Sequence, residues 1–407
     1  MTREGGVDGR RRAAAVGRRP GRDTVEARRL VGLAKELGLP RPSRPHGELT
    51  AEIILAANRE SDTFPGLAEV EARDLASEET TLLPAGPNPF HRHPIAAAFA
   101  GTGINPTVFA AAETEALVLR RFHDVTVVRG GGFVSVLRGD RVDAASSGLV
   151  VRPKRLERMA HAVQTLPRAA VCDGPHKSSN PAHILGDRLP RGVLMERLAG
   201  VPGEVCAVGT DGSPFARAAA EAVLPGHIHL DAGRPYRFET LEMLTSSFRP
   251  AGHPLWYLDA ETVDTVRSRL LGRTPRREGA RMIYLARTDT SRRPLGNERE
   301  LIAALAARGV VPLTMSELVP EEQWAAVHAA ETVIAPHGGA LMNVLLARPG
   351  TRVVELFNPS AGTAGFAAVS LAVGAHYTPL FGTPTGEGDG WTIAVDTVLD
   401  AAFPGTP

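Results

Sequence analysis

The sequence is poor in several things, and each shortage removes a class of protein. Two cysteines, Cys172 and Cys206, exclude a disulfide framework; a single bridge remains allowed, but their apolar, strand-like settings read as buried free thiols. No apolar run approaches the roughly 18–20 residues that a membrane helix needs. Charge of one sign is lacking too: the net charge is +1 over 407 residues, so no global field argues for nucleic acid. Hydrophobic residues make up 43% and charged residues 22%, which suits a folded chain long enough for two domains of ordinary size.

Several chemical signatures are absent as well. There is no Cys-x-x-Cys, no His-Glu-x-x-His, no phosphate loop ending in Gly-Lys-Ser/Thr and no Gly-x-Ser-x-Gly. A dinucleotide fingerprint is missing, because Gly101-Thr102-Gly103 runs into Ile104-Asn105-Pro106 without a third glycine. That weighs against a hydride-transfer enzyme. No Asp-x-Asp occurs, which weakens a metal-chelated nucleotide site, and no metal or cofactor is expected.

The residues that are present divide the chain. Residues 1–60 are rich in Arg, Gly and Pro, with nine arginines in the first thirty and one helical patch, Val25 to Leu37. The arginine pairs have no hydrophobic stretch after them, so this is no secretory signal. It reads as a disordered basic tail, able at most to make weak contact with an anionic membrane surface, and the protein is expected to be cytoplasmic. Between His123 and Asp140, two β-runs (Val125–Val128 and Phe133–Leu137) flank Gly130–Gly132 and read as a hairpin.

From Ala169 onward, strand and helix patterns alternate, with a polar, Pro-containing break at Arg273–Gly279. Such alternation implies parallel sheets with right-handed crossovers. The expected architecture is α/β, with two Rossmann-like halves facing a cleft: an acceptor-side domain over 61–272, containing the β-rich extension, and a nucleotide-binding domain over 273–407. The second half is the more regular. Its expected elements are strand Met282–Ala286, helix Glu298–Ala307, strand Val310–Leu313, helix Glu321–Ala330, strand Thr332–Ala335, helix Ala340–Leu346 and strand Arg352–Phe357.

Three clusters could carry chemistry. Arg287 follows a strand, and Arg292 and Arg293 lie in the loop before the next helix; guanidinium groups there suit bidentate contact with a diphosphate, against the alternative of a solvated loop. Asn297 reads as a helix N-cap, with Glu300 completing a capping box. His337-Gly338-Gly339 ends another strand, where glycines allow close approach of a ligand and positive φ; Asn343 follows on the helix, suited to a helix–loop hydrogen bond. Glu355 ends the next strand, either beside a ribose or as a buried acceptor of backbone N–H groups. Finally, His183 and Asp187 are four apart on one helix, a His–carboxylate pair that could act as a base or merely decorate a surface.

Taken in order, these clusters resemble the glycosyltransferase 61 family, which includes bacterial capsular-polysaccharide enzymes and eukaryotic O-linked sugar transferases. The resemblance runs from about Phe122 to Pro359. It covers the hairpin, Asn180, His183, Asp187 and Pro190-Arg191, then Tyr236–Leu244 with His253-Pro254. It continues through Arg287, Arg293, Asn297-Glu298 and Glu322-Gln323, and is most specific over His337-Gly338-Gly339-Ala340-Leu341-Met342-Asn343, Pro349-Gly350 and Glu355. Gly339-Ala340 is a small variation on the usual His-Gly-Ala-Gly, and Ala182 and Ile184 replace the aromatic residues that usually flank the helix histidine.

The resemblance implies a GT-B fold and inverting transfer from a nucleotide sugar without an essential metal. It implies a glycan or lipid-linked glycan acceptor, and work in capsular or extracellular polysaccharide synthesis at the inner face of the membrane. The implied donor-binding set is Arg287, Arg292, Arg293, Asn297, His337, Gly338, Gly339, Asn343 and Glu355, with His183, supported by Asp187, as general base. A non-catalytic nucleotide-sugar or polysaccharide-binding assembly protein is the competing expectation.

Overall fold

The computed structural model describes residues 71–405, except 74, 131–132, 139–140, 144–163, 174–179, 211, 233, 245–258, 275–278, 291, 360–361 and 387–388. The basic tail with its Val25–Leu37 patch, most of the Arg273–Gly279 break and His253-Pro254 fall outside the described residues.

The second half of the chain forms a five-stranded sheet of β10 (Met282–Ala286), β11 (Val311–Thr314), β12 (Thr332–Pro336), β13 (Arg352–Phe357) and β14 (His376–Phe381). Its order is β11-β10-β12-β13-β14, parallel throughout. β12 and β13 are continuous apolar runs because both faces of a parallel sheet are covered by helices. The chain reverses direction across the sheet between β10 and β12. At such a switch point the loops leaving the two strands diverge and open a crevice at their carboxyl ends.

The first half is a nine-stranded mixed sheet. β6 (Gln164–Val171), β7 (Cys206–Val208), β8 (Ile228–His229) and β9 (Pro235–Leu244) make its parallel part, in the order β9-β6-β7-β8. β9 then pairs antiparallel with the long strand β3 (Leu117–Gly130), and β3 with β4 (Phe133–Arg138). Gly130 pairs with Phe133, so the expected hairpin closes over two residues. β5 (Arg141–Asp143), β1 (Glu71–Arg73) and β2 (Glu78–Leu83) complete the extension.

The helix expected over Asn180–Leu198 is present but not uniform. An α turn, Pro181–His183, passes into a π turn, Ile184–Arg188, and then into α1 (Leu189–Ala199). Pro190 explains the irregularity: it has no N–H to give the preceding turn, and the wider turn just before it accommodates the ring. The π turn buries Asp187 and Arg188.

The two sheets are joined by packed side chains. A single apolar cluster runs from α1 through α2 (Pro214–Val223) and α3 (Ala260–Gly272) to α5 (Pro320–Ala329) and the strands of the second sheet. At its middle, Phe215 meets Trp324 edge-on, with ring centroids 6.1 Å apart. Each large apolar side chain buried here stabilises the seam by about 1.5–3 kcal/mol. The described residues are thus α/β with parallel sheets, as expected, but along this seam the halves are in contact rather than parted by a cleft. Among the described residues no helix is long and apolar enough to cross a membrane.

Candidate functional site

β10 ends at Ala286 and Arg287 leaves it into the crevice. The Arg287 guanidinium donates from Nη1 to the His337 carbonyl at 2.5 Å and from Nη2 to the Arg292 carbonyl at 3.2 Å. It therefore spans the crevice, tying the end of β10 to the end of β12. Its backbone N–H is held by the buried Glu298, which also takes the Tyr284 hydroxyl. Burial first, then the Glu298 charge, pushes the Tyr284 hydroxyl far up, so it serves only as a donor.

The loop carrying Arg292 and Arg293 is clamped from the C-terminal side. Arg293 sits at φ 50, a left-handed conformation uncommon for a side chain of this size. Asp389 accepts from its N–H at 3.0 Å, and the Trp391 indole donates to its carbonyl at 3.0 Å. Trp391 also pairs with Pro294 and Gly296 through its backbone. Asn297 departs from the expected capping box: it makes no side-chain cap. Instead it donates to the Ile393 carbonyl and accepts from the Ile393 N–H, so both ends of its amide brace the same C-terminal segment.

Burial lowers the Arg287 and Arg293 pKa values, and for Arg293 the neighbouring charges of Arg287 and Arg292 lower it further. Guanidinium stays charged at any physiological pH, so the crevice holds buried positive charge, which Glu298 and Asp289 near Arg287 and Asp389 near Arg293 offset in part. An anion in the crevice would relieve it.

Opposite Arg287 stands His337. Its Nδ1 lies 2.5 Å from Glu355 Oε1, and the Tyr377 hydroxyl donates to Glu355 Oε2 at 2.5 Å. Glu355, expected either beside a ribose or as a buried acceptor of backbone N–H groups, has no exposed surface and gives both oxygens to side-chain partners. The imidazole stacks on Phe357 at 5.1 Å and tilts against Phe366 at 5.3 Å.

The glycine turn differs from expectation in its reason for glycine. Gly338 is extended, with φ 177, and neither glycine is left-handed. What they provide is close approach. A Cβ at Gly338 would lie 3.4 Å from the Arg287 guanidinium, and one at Gly339 would drive into the Asn180 side-chain oxygen. The residues after the turn, Gly339–Leu346, wind as a 3₁₀ helix instead of the expected α-helix. Within it Asn343 is fully buried and donates to the Ala340 carbonyl at 2.9 Å, a bond inside the same 3₁₀ helix instead of the expected helix–loop bond.

Asn180 links the turn to the first half of the molecule. It caps Pro181–His183, accepting from the Ala182 N–H at 3.0 Å, and so brings half-buried His183 to within one turn of the Gly339 contact. Asp187, expected to support His183, is buried, and its Oδ1 accepts from Arg191 Nε at 2.9 Å.

Sequence reasoning did not find Tyr377, Phe366, Asp389 or Trp391, all of which shape the crevice. A faint signal existed for Tyr377, in the apolar run His376–Phe381 after Gly374, which reads as one more parallel strand. Nothing local marks Asp389 or Trp391. Among the described residues, no group of three or more His, Cys, Asp or Glu is placed to ligate a metal.

A profile of the glycosyltransferase 61 family matches residues 149–354, half of the chain. It takes in Asn180, His183, the three arginines and the His337 turn, and stops one residue short of Glu355. No curated protein matches the chain. From the extent of that match, the chain belongs to the glycosyltransferase 61 family and is a glycosyltransferase by that membership.

Proposed function

We propose that the protein transfers a sugar, with inversion, from a nucleotide sugar to a hydroxyl of a glycan or lipid-linked glycan in capsular or extracellular polysaccharide synthesis. The observation that carries this reading is the switch point of the second sheet. There Arg287 bridges to the His337 turn through bonds to carbonyl oxygens rather than to a carboxylate, and Arg292 and Arg293 bring further positive charge beside it. Charge accumulates on the diphosphate as the sugar leaves, and fixed guanidinium groups stabilise it without a metal ion.

In this reading residues 273–407 hold the donor and 61–272 the acceptor. The parallel second sheet and the parallel β9-β6-β7-β8 part of the first support a GT-B-like pairing of two Rossmann-like halves. The acceptor hydroxyl attacks the anomeric carbon from the face opposite the diphosphate. The new C–O bond forms, the bond to the diphosphate oxygen breaks with its electron pair staying on that oxygen, and a base removes the hydroxyl proton. Two imidazoles stand near the meeting of the halves, His183 on the acceptor side and His337 on the donor side. The work is assigned to the cytoplasm, with the basic residues 1–60 making weak contact with the inner face of the membrane.

The test is nucleotide release from a panel of UDP- and GDP-sugars, with and without mixed glycan acceptors. Acceptor-stimulated release of one nucleotide is expected. Tight donor binding without release on any acceptor would favour the assembly-protein reading instead.

A further inference from the structure

The His337, Glu355 and Tyr377 contacts form a chain whose direction can be worked out. Tyr377 is buried, and burial together with the Glu355 charge pushes its hydroxyl well up, so it donates. A carboxylate that takes this proton on one oxygen offers only an acceptor on the other. The imidazole must then present Nδ1–H to Glu355, which leaves a lone pair on Nε2. Among the described residues Nε2 has no hydrogen-bond partner, and the ring keeps 10% of its side-chain surface at the crevice.

Phe357 and Phe366 cover the faces of the imidazole, and the Arg287 guanidinium bonds to the His337 carbonyl oxygen. Glu355 lies ready to stabilise the positive ring once it has gained a proton.

We propose that His337 is the base that takes the acceptor's proton, with Glu355 and Tyr377 as positioning residues that fix its tautomer and orientation. The inference rests on the transferase reading above. In the transfer step the acceptor oxygen bonds to the anomeric carbon and its proton passes to His337 Nε2. The electron pair of the broken bond departs on the diphosphate held by Arg287, and the proton is later lost to water. Glu355 does for this histidine what a buried carboxylate does in other nucleophile-activating triads: it sets the tautomer and balances the transient charge. Tyr377 keeps that carboxylate from rotating away.

Two measurements on the full-length protein test this. In ¹⁵N-histidine NMR, the resonances lost in His337→Asn should report an Nδ1–H tautomer in the unmodified protein. Glu355→Gln should convert it to Nε2–H, because the glutamine carbonyl must face the Tyr377 hydroxyl and its NH₂ the ring. A wild-type Nε2–H ring, or no change in Glu355→Gln, overturns the proposal without any donor being known.

In the nucleotide-release assay, His337→Ala should lower turnover by roughly 10²–10⁴-fold. Added free imidazole should restore at least part of that loss, which a merely structural role would not permit. Tyr377→Phe should lose about fivefold in kcat with little change in KM. If His183→Ala abolishes turnover while His337→Ala does not, the base is His183 and the proposal falls, with the transferase reading intact. If UDP and GDP do not bind at all, that reading fails first.

Discussion

Both halves of the molecule place arginine at the carboxyl end of a central strand, and they treat its charge in opposite ways. After β6, Asp173 Oδ2 forms an ion pair with Arg129, 2.6 Å from its Nε, and accepts the Gly209 N–H, while Oδ1 accepts from Arg188. All three side chains are essentially inaccessible. Gly209 is a glycine because the Arg129 guanidinium occupies the place of a Cβ. After β10, Arg287 bonds only to carbonyl oxygens, and among the described residues it makes no ion pair. The first arrangement spends its charge on holding strands and the π turn together. The second leaves charge over, and that surplus is what distinguishes a binding crevice from a structural keystone.

The comparison can be broken in several places. The largest effect is expected at Asp173. Asp173→Asn leaves two buried guanidinium groups facing one another and should cost about 3–5 kcal/mol, read from urea unfolding. If the cost were below about 1 kcal/mol, the first cluster would not be the ion-paired keystone described.

Next comes the seam. Gly339→Ala forces a methyl into Asn180 and should cost about 1–3 kcal/mol while disturbing the approach of His183. Gly338→Ala, with an extended backbone and only the Arg287 guanidinium nearby, should stay within about 0.5 kcal/mol of wild type. Equal effects at the two positions would mean that close packing is not what separates them.

The smallest effect is at Asp259, which caps α3 through the Thr262 N–H and pairs with Arg197. Burial raises its carboxyl pKa, but Arg197 and the Thr262 donors outweigh this and hold it below its ordinary value. A group lowered in the folded state stabilises above its unfolded pKa and loses that contribution as pH falls. Asp259→Ala should therefore cost about 1 kcal/mol at neutral pH. The difference from wild type should shrink as the pH drops through about 4. A gap that widens in acid would reverse the sign assigned to this contact.

How much of this could be read from the sequence follows from the range of the interactions. β10, β13 and the helix Glu298–Ala307 have the bounds expected of them, since apolar runs and their periodicity are local. The hairpin was legible for the same reason. The pairing of β3 with β9 was not, because residues such as Thr126 and Arg237 meet only after the chain has folded. The 3₁₀ winding after Gly339 has an ordinary helical pattern in sequence and is set by packing against the α turn and α5. Arg287, His337 and Glu355 were recognisable as strand-end polar groups, but not that Glu355 supports His337. That depends on Tyr377, which comes from the next strand. The clamp on Arg293 depends on Trp391, almost a hundred residues away.

The central claim is that surplus arginine charge at the β10–β12 switch point holds a nucleoside diphosphate without a metal. Calorimetric titration of UDP and of GDP into the full-length protein in EDTA tests it directly. The account predicts binding of one of them, weakened in Arg287→Ala by roughly 10- to 100-fold, the loss expected for charge-assisted hydrogen bonds. Equal affinity in wild type and variant, or no binding of either nucleotide, would contradict it.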